Sequence, residues 1–98
     1  MNYFFLEPAR AELEDAVRYY ERQREGLGEQ FALEVEAAIA RILQLPHIGT
    51  ALSATFHRAR LNRFPFGIVY TIQEEGIVIV AVMHLRRKPG YWMDRLDR

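Results

Sequence analysis

Apolar residues recur at helical spacing through the first half of the chain. One apolar stripe comprises Ala9, Leu13, Ala16, Val17 and Tyr20, and the next comprises Phe31, Val35, Ala38, Ile39 and Ile42. Pro8 suits a first helical turn, and acidic side chains follow it where the helix dipole favours them. A segment with two glycines, residues 24–30, separates the stripes, and a proline in residues 45–49 ends the second. The pattern predicts a helical hairpin, with the acidic residues that lie off the stripes, including Glu12 and Glu34, on solvated outer faces.

The period of the pattern changes to two in the second half of the chain. A strand is predicted over residues 55–61, with Ala59 and Leu61 on one face and Phe56, Arg58 and Arg60 on the other. Two further strands, over residues 67–72 and 76–84, are joined by "QEEG", which is typical of a hairpin turn.

The last of these strands is apolar on both faces and is therefore expected inside the sheet. Strict alternation places one set of side chains on one face and a second set on the other: Ile77, Ile79, Ala81 and Met83, then Val78, Val80 and Val82. A short first strand is predicted in "NYFFLE", ahead of the helices. The order β-α-α-β-β-β predicts an α+β fold in which a helical hairpin packs on one face of a mainly antiparallel sheet. The short aromatic C-terminal segment is expected to cover the other face.

Length and composition limit the possibilities further. The 98 residues are enough for one core, so a single domain over residues 1–98 is expected. The chain has no cysteine, which excludes disulfides and thiolate metal sites, and no metal or other cofactor is expected. The longest apolar run is too short for a membrane span, and the first residues show no secretory signal. We therefore expect a cytoplasmic protein with no membrane partner.

Charge is unevenly distributed along a chain whose net charge is zero. Residues 1–49 carry nine acids and five bases (−4), and residues 50–98 carry four acids and eight bases (+4). Six cations fall in two short segments: Arg58, Arg60, Arg63, Arg86, Arg87 and Lys88. Because both segments belong to one predicted sheet, we expect them to form one basic surface. Its alternative interpretations are a phosphate site, a docking surface for a protein, or a solvated strand end beside an aromatic lid.

Two motifs carry a family resemblance. "RFPFGIVY" followed at this spacing by "HLRRKPGYW" resembles the RelE/ParE superfamily of type II toxin–antitoxin toxins, in particular its plasmid-stabilisation branch. The resemblance implies a toxin that arrests growth and is neutralised by a cognate antitoxin. RelE-like members cut messenger RNA at the ribosome without a metal, whereas ParE-like members inhibit DNA gyrase by binding.

The resemblance to RelE-like nucleases suggests a catalytic set but leaves it incomplete. Arg58 and Arg60 match two basic residues of a strand, and Arg87 or its neighbour Arg86 matches an arginine after the last strand. His84 is a candidate acid or base, and Tyr91 is a candidate for the catalytic tyrosine, which falls at Met93 in an ungapped match. A further arginine of those enzymes corresponds to Gly67, so one phosphate contact is missing.

The "GLG" loop, the "FPF" turn and the "H-x-x-R-x-P" ending favour a ParE-like binding inhibitor. The partner-binding residues expected in that case are Arg58, Arg60, Arg63, Arg86, Arg87 and Trp92. The antitoxin is expected to supply an acidic or amphipathic segment that is disordered before it binds. The alternatives are a RelE-like endoribonuclease, or a non-toxic relative that acts as a binding module.

Overall fold

The predicted α+β order is confirmed in a computed structural model that describes residues 1–97. The elements are β1 (Asn2–Phe5), α1 (Glu7–Gln23), α2 (Leu27–Gln44), β2 (Thr50–Ala51), β3 (Phe56–Arg60), β4 (Phe66–Gln73), β5 (Gly76–His84) and a 3₁₀-helix (Met93–Asp97). Strand β2 and the 3₁₀-helix were not predicted, because two residues and one tight turn are too short to produce a hydrophobic period. Among the described helices, none combines the length and apolar character that a membrane crossing requires.

The five strands form one mixed sheet in the order β1-β5-β4-β3-β2. Strand β1 runs parallel to β5, and the other neighbours are antiparallel. The pairing of β1 ends at Phe5, opposite Ile79, so within the described part of the chain no strand borders the second half of β5 on that side. Strand β5 is nevertheless an interior strand over its first half, as its two apolar faces predict.

Two glycines and the carboxylate of Glu21 shape the loop that joins α1 to α2. Gly26 has φ 86°, a left-handed conformation that glycine adopts without strain. The carboxylate of Glu21 accepts hydrogen bonds from the backbone N–H groups of Gly26 and Gly28, each at 3.0 Å. A Cβ on Gly28 would lie 2.6 Å from the carbonyl oxygen of Val17, so the close approach of the helices requires glycine. Helix α2 therefore begins inside the segment expected to be a loop.

A hydrophobic cluster lies on each face of the sheet. The larger cluster packs between the helices and the sheet, where Tyr20 and Phe31 stack with ring centroids 5.3 Å apart. The smaller cluster covers the opposite face and comprises Phe56, Val69, Val80, Ala81, Met83 and Trp92. Trp92 is 4% exposed and packs edge-on against Phe56 at 4.8 Å. The predicted aromatic cover on the second face is confirmed.

The predicted alternation along β5 is wrong beyond Val80. Tyr70 of β4 pairs with Ile79, and Val69 pairs with Ala81. This register shift leaves Val80 without a paired residue on β4. Val80 and Ala81 consequently pack on the same face, as expected at a β-bulge. Met83 then lies with the second-face cluster, and Val82 lies with the helix-face cluster.

Candidate functional site

Arg58 lies across Gly67 on the second face of the sheet. A Cβ on Gly67 would be 3.0 Å from both Cγ and Cδ of Arg58 and 3.3 Å from Cδ2 of Leu85. The glycine therefore leaves the space that the aliphatic stem of Arg58 fills. The Nε of Arg58 is buried and has no hydrogen-bond partner among the described residues. The family resemblance led us to expect an arginine at position 67. The space beside Gly67 is instead filled by the side chain of Arg58.

Arg58 and Arg60 line a groove together with Arg41 of α2. We call this the basic groove; it has a volume of about 430 Å³ and is lined by Ala38, Arg41, Ile48, Gly49, Thr50, Arg58, Ala59, Arg60 and Asn62. All of its charged lining residues are arginines. Arg41 was not identified from the sequence. Its one available signal was its position off the apolar stripe of α2, near the end of the helix.

Arg87 lies in a second groove, beside α1. Its guanidinium stacks on the ring of Tyr91, with Cζ 3.8 Å from the ring centroid, and its Nη1 is 3.8 Å from Oε2 of Glu12. This groove is lined by Glu12, Asp15, Ala16, Phe66, Val82, His84 and Arg87. Arg60, Gly67 and Met83 form one row across three strands, so both grooves lie near the same end of the sheet. The expected single basic surface is divided into two parts.

Glu12 connects α1, the free edge of β5 and the C-terminal segment. Its carboxylate accepts hydrogen bonds from the backbone N–H of Val82 at 3.0 Å and from the hydroxyl of Tyr91 at 2.8 Å. It also accepts two from the guanidinium of Arg95, at 3.0 and 2.9 Å. The expectation that Glu12 is solvated is wrong, since its side chain is 16% exposed. The available signal was its spacing: Glu12 lies four residues before Ala16 and so at the border of the apolar stripe.

Tyr91 is a hydrogen-bond donor in this arrangement. Burial raises the pKa of its hydroxyl well above the usual range, and the hydrogen bond to Glu12 and the charge of that carboxylate raise the pKa further. The hydroxyl therefore keeps its proton at neutral pH. Such a group is unsuited to accept a proton from an RNA 2′-hydroxyl.

His84 faces α1, away from Arg58. Its Nδ1 accepts the backbone N–H of Arg86 at 3.1 Å, and its ring packs edge-on against Phe66 at 5.1 Å. It lines the second groove with Arg87. The five residues suggested for a nuclease are therefore found in two places: Arg58 with Arg60 in the basic groove, and His84 with Arg87 in the second groove, where Tyr91 lies against Arg87 and Glu12.

The remaining predicted partner-binding residues have different environments. Arg63 is held by α2, where its Nη2 donates to Oε1 of Gln30 at 2.8 Å and its backbone N–H donates to Glu34 at 3.0 Å. The expectation that Glu34 is solvated is wrong, because its side chain is 14% exposed. Arg86 is exposed on the turn after β5. Trp92 is buried, and its Nε1 has no hydrogen-bond partner within the described residues.

A polar contact that the sequence did not reveal holds the loop after α2. The hydroxyl of Tyr70 donates to the carbonyl oxygen of Pro46 at 2.6 Å and accepts the backbone N–H of Gly49 at 3.1 Å. The ring of His57 stacks on Tyr70, with centroids 5.5 Å apart. Among the side chains of residues 1–96, no three His, Cys, Asp or Glu converge in a way that would hold a metal ion.

One family model matches most of this chain. The family model described as the ParE toxin of the type II toxin–antitoxin system parDE matches residues 3–89. A solved structure described as the chromosomal ParDE TA system from P. aeruginosa is similar, with a TM-score of 0.63. The two chains are 16% identical over 86% of this chain and 95% of the other, a likeness that concerns the fold alone. No curated protein sequence matches this chain significantly.

Proposed function

Because the chain belongs to the ParE toxin family of type II toxin–antitoxin systems, we propose that it arrests growth by binding DNA gyrase. In this proposal it acts in the cytoplasm as a binding inhibitor and is neutralised by a cognate antitoxin. The residues proposed to contact partners are those of the two arginine-containing grooves, Arg58, Arg60 and Arg87, together with the exposed Arg86. Arginine suits this function because its planar guanidinium pairs with carboxylates and stacks on aromatic rings.

We base the choice of a binding inhibitor over a ribonuclease on the arrangement around Tyr91 and Gly67. Cleavage without a metal requires a base, an acid and cations gathered around one phosphate. The Tyr91 hydroxyl is bonded to Glu12, and the stem of Arg58 fills the space above Gly67. His84 lies in a different groove from Arg58 and Arg60. This separation supports an inhibitor that acts by contact.

Arg87 is the residue we propose as the main contact of the second groove. Its side chain is 56% exposed, so it reaches solvent, while the Tyr91 ring fixes its orientation. A partly exposed arginine held on an aromatic ring loses little conformational freedom when a partner binds. We propose that Trp92 contributes indirectly, by holding the C-terminal segment that carries Tyr91.

For the antitoxin, we propose an acidic or amphipathic segment that neutralises these arginines. The exposed charges of both grooves would attract such a segment, and the partly buried stems of the arginines would contribute apolar contact area. The segment is proposed to be disordered before it binds and to order on this surface.

The proposal is tested by inducing the protein alone and together with the product of the adjacent gene. We expect growth arrest in the first case and its relief in the second. Purified protein should inhibit gyrase supercoiling and leave messenger RNA intact on translating ribosomes. Arg87→Ala should weaken gyrase inhibition, whereas Arg22→Ala, which removes an exposed arginine of α1 that lines neither groove, should not.

Three results would contradict the proposal. Cut messenger RNA with normal supercoiling would support the RelE-like alternative, in which Arg58→Ala combined with Arg60→Ala abolishes cutting. Absence of growth arrest at a verified expression level would support a non-toxic binding module. Equal gyrase inhibition by the Arg87→Ala and Arg22→Ala variants would show that the gyrase-binding surface does not include Arg87.

A further inference from the structure

Strand β1 forms the edge of the sheet opposite the basic groove, and it carries exposed aromatic side chains. Tyr3 is 44% exposed and Phe4 is 48% exposed, one on each face of the sheet. Over residues 1–97, β5 is the one strand that pairs with β1. Residues 1–6 carry no charged side chain, although charges are a common protection of sheet edges that stay unpaired. The composition of β1 is therefore that of a strand with a neighbour on each side.

Tyr3 and Phe5 direct their backbone hydrogen-bonding groups to the open side of β1. The N–H of Leu6 donates to the carbonyl of Ile79 on β5, at 3.0 Å. Backbone directions alternate along a strand, so Phe4 also faces β5, whereas Tyr3 and Phe5 face away from it. Their N–H and C=O groups match those of a second β1 that runs antiparallel, with Tyr3 opposite Phe5 of the second copy. This register forms four hydrogen bonds around a two-fold axis at Phe4.

The side chains of β1 fit the same register. Phe4 would lie opposite Phe4 of the second copy, in a pair without hydrogen bonds, where cross-strand side chains approach most closely. Tyr3 would lie beside Phe5 of the second copy, on the face that carries the helices. The guanidinium of Arg10 lies 5.3 Å from the centroid of the Phe5 ring, so it would also lie close to Tyr3 of the second copy. A cation beside an aromatic ring is a favourable contact.

The surroundings of β1 leave room for a second copy. Helix α1 packs on α2 and β5, and the C-terminal segment binds the second half of β5, beyond the end of β1. Two half-exposed rings in each copy would together lose about 400 Å² of surface, at ~200 Å² for a whole ring. The paired backbone adds to this area. Interfaces of stable dimers bury ~1,200–2,000 Å² in total, so β1 fits a weak dimer that forms at high protein concentration.

We propose that two copies of this chain associate through antiparallel pairing of their β1 strands. The two sheets then form one continuous sheet, with five strands from each copy and both helical hairpins on the same face. The two basic grooves lie toward the outer edges of this sheet and stay open, so the dimer presents both to partners. The inference concerns an edge that the proposed function does not use, and it stands whether or not the protein binds gyrase.

The first experiment uses Phe4→Cys, which places a thiol on the proposed two-fold axis in a chain that has no other cysteine. Opposed residues in a pair without hydrogen bonds have Cα atoms ~4.5 Å apart, within the range of ~4.4–6.8 Å that a disulfide spans. We expect a disulfide-linked dimer on non-reducing gels after mild oxidation.

Two single-cysteine variants are the matched controls for this cross-link. Asn2→Cys keeps the thiol on the same strand and face, but the two thiols would lie about 13 Å apart along the paired strands. Leu33→Cys places the thiol at another exposed apolar position, on α2. Both should form far less disulfide dimer than Phe4→Cys under the same conditions.

The second experiment measures the mass of the unmodified protein by sedimentation equilibrium from micromolar to millimolar concentration. We expect a reversible equilibrium between monomer and dimer. Phe4→Glu should raise the dissociation constant about ten-fold or more, because it removes an aromatic pair and brings two like charges together. Leu33→Glu adds the same charge at another exposed position and should leave the equilibrium unchanged. Urea denaturation checks that both variants are folded.

The inference is overturned if the parent stays monomeric at millimolar concentration, or if Phe4→Cys forms no more disulfide dimer than Leu33→Cys. A dimer that Phe4→Glu leaves intact would also overturn it, because the contact would then lie elsewhere. If β1 instead binds the product of the adjacent gene, Phe4→Glu weakens that complex while the parent alone stays monomeric. That result also contradicts self-association.

Discussion

The guanidinium of Arg95 donates two hydrogen bonds to the carboxylate of Glu12, at 3.0 and 2.9 Å, and joins the C-terminal 3₁₀-helix to α1. Both side chains are largely buried, at 17% and 16% exposure. Arg95 also donates to the carbonyl of Val80 at 2.8 Å, and Glu12 accepts the N–H of Val82. These are the backbone groups of β5 that β1 is too short to reach. Two side chains therefore complete the part of the β5 edge that lies beyond the end of β1.

Glu12→Gln should destabilise the protein and loosen its C-terminal segment. The amide keeps the shape of the side chain but removes the charge that pairs with Arg95 and leaves one oxygen in place of two acceptors. We expect a loss of ~1.5–3 kcal/mol in the free energy of unfolding, the usual range for a hydrogen bond to a charged group. Urea denaturation measures the loss, and hydrogen exchange at Val82 should become faster.

The matched control for this change is Glu14→Gln, which alters the charge of α1 equally at an exposed position. Its effect should stay within about 0.5 kcal/mol. Equal losses for the two variants would show that helix charge, and not the contact with Arg95, accounts for the stability.

Alkaline pH should weaken the fold through three tyrosines, of which Tyr70 is buried and Tyr20 and Tyr91 are partly buried. Burial is the main cause that raises the pKa of Tyr20, Tyr70 and Tyr91. Above pH ~10 the unfolded chain loses these protons while the folded chain still holds them, so stability falls as pH rises. Unfolding free energies measured from about pH 8 to about pH 11 should decline toward the upper end.

The Tyr91→Phe variant tests the contribution of Tyr91 to this pH dependence apart from those of Tyr20 and Tyr70. The variant is less stable than the parent at neutral pH, because Glu12 loses a donor, but its stability should fall less steeply under alkaline conditions. Tyr3→Phe changes an exposed tyrosine of β1 and should leave the slope unaltered. If stability of the Tyr91→Phe variant falls with pH as steeply as that of the parent, the Tyr91 hydroxyl does not contribute to the pH dependence, and the raised pKa of Tyr91 in the folded protein is contradicted.

Hydrophobic periodicity predicts most of the fold because burial imposes it along whole elements. The stripe from Ala9 to Tyr20 and the alternation from Phe56 to Leu61 were sufficient to place α1 and β3 correctly, whereas the start of α2 was expected several residues later. The bulge at Val80 was not predictable in this way. Val80 and Ala81 are both apolar, so a slip of one residue leaves the hydrophobic pattern unchanged.

The site was less predictable because its contacts join residues that are distant in the chain. Glu12 and Arg95 are separated by 83 positions, and neither carries a local motif. Arg58, Arg60 and Arg87 do lie near one end of the sheet, as the strand order implies. The direction of each side chain depends on neighbours such as Gly67 and Tyr91, which periodicity does not specify.

Trp92→Ala should cost ~3–5 kcal/mol in unfolding free energy, the range for removing a large aromatic side chain from a packed core. The indole packs against Phe56 and holds the second-face cluster together. Trp92→Phe, which keeps an aromatic ring, should cost less. Leu33→Ala removes an apolar side chain that is 55% exposed and should be close to neutral. Thermal and urea denaturation test this order, and a neutral Trp92→Ala would show that the segment does not cover the sheet.

Gly67→Arg should not create a ribonuclease, although it introduces the arginine that RelE-like enzymes carry at the matching position. The Cβ would press on the stem of Arg58, whose Cγ and Cδ both lie 3.0 Å from it. Arg58 would then have to leave its place beside Leu85, so the variant displaces one arginine to add another. Gly67→Ala is the control for this crowding, and it should show part of the stability loss without the added charge. Cleavage of ribosome-bound messenger RNA by Gly67→Arg, absent from the parent protein and from Gly67→Ala, would mean that one missing cation is all that separates this site from a nuclease.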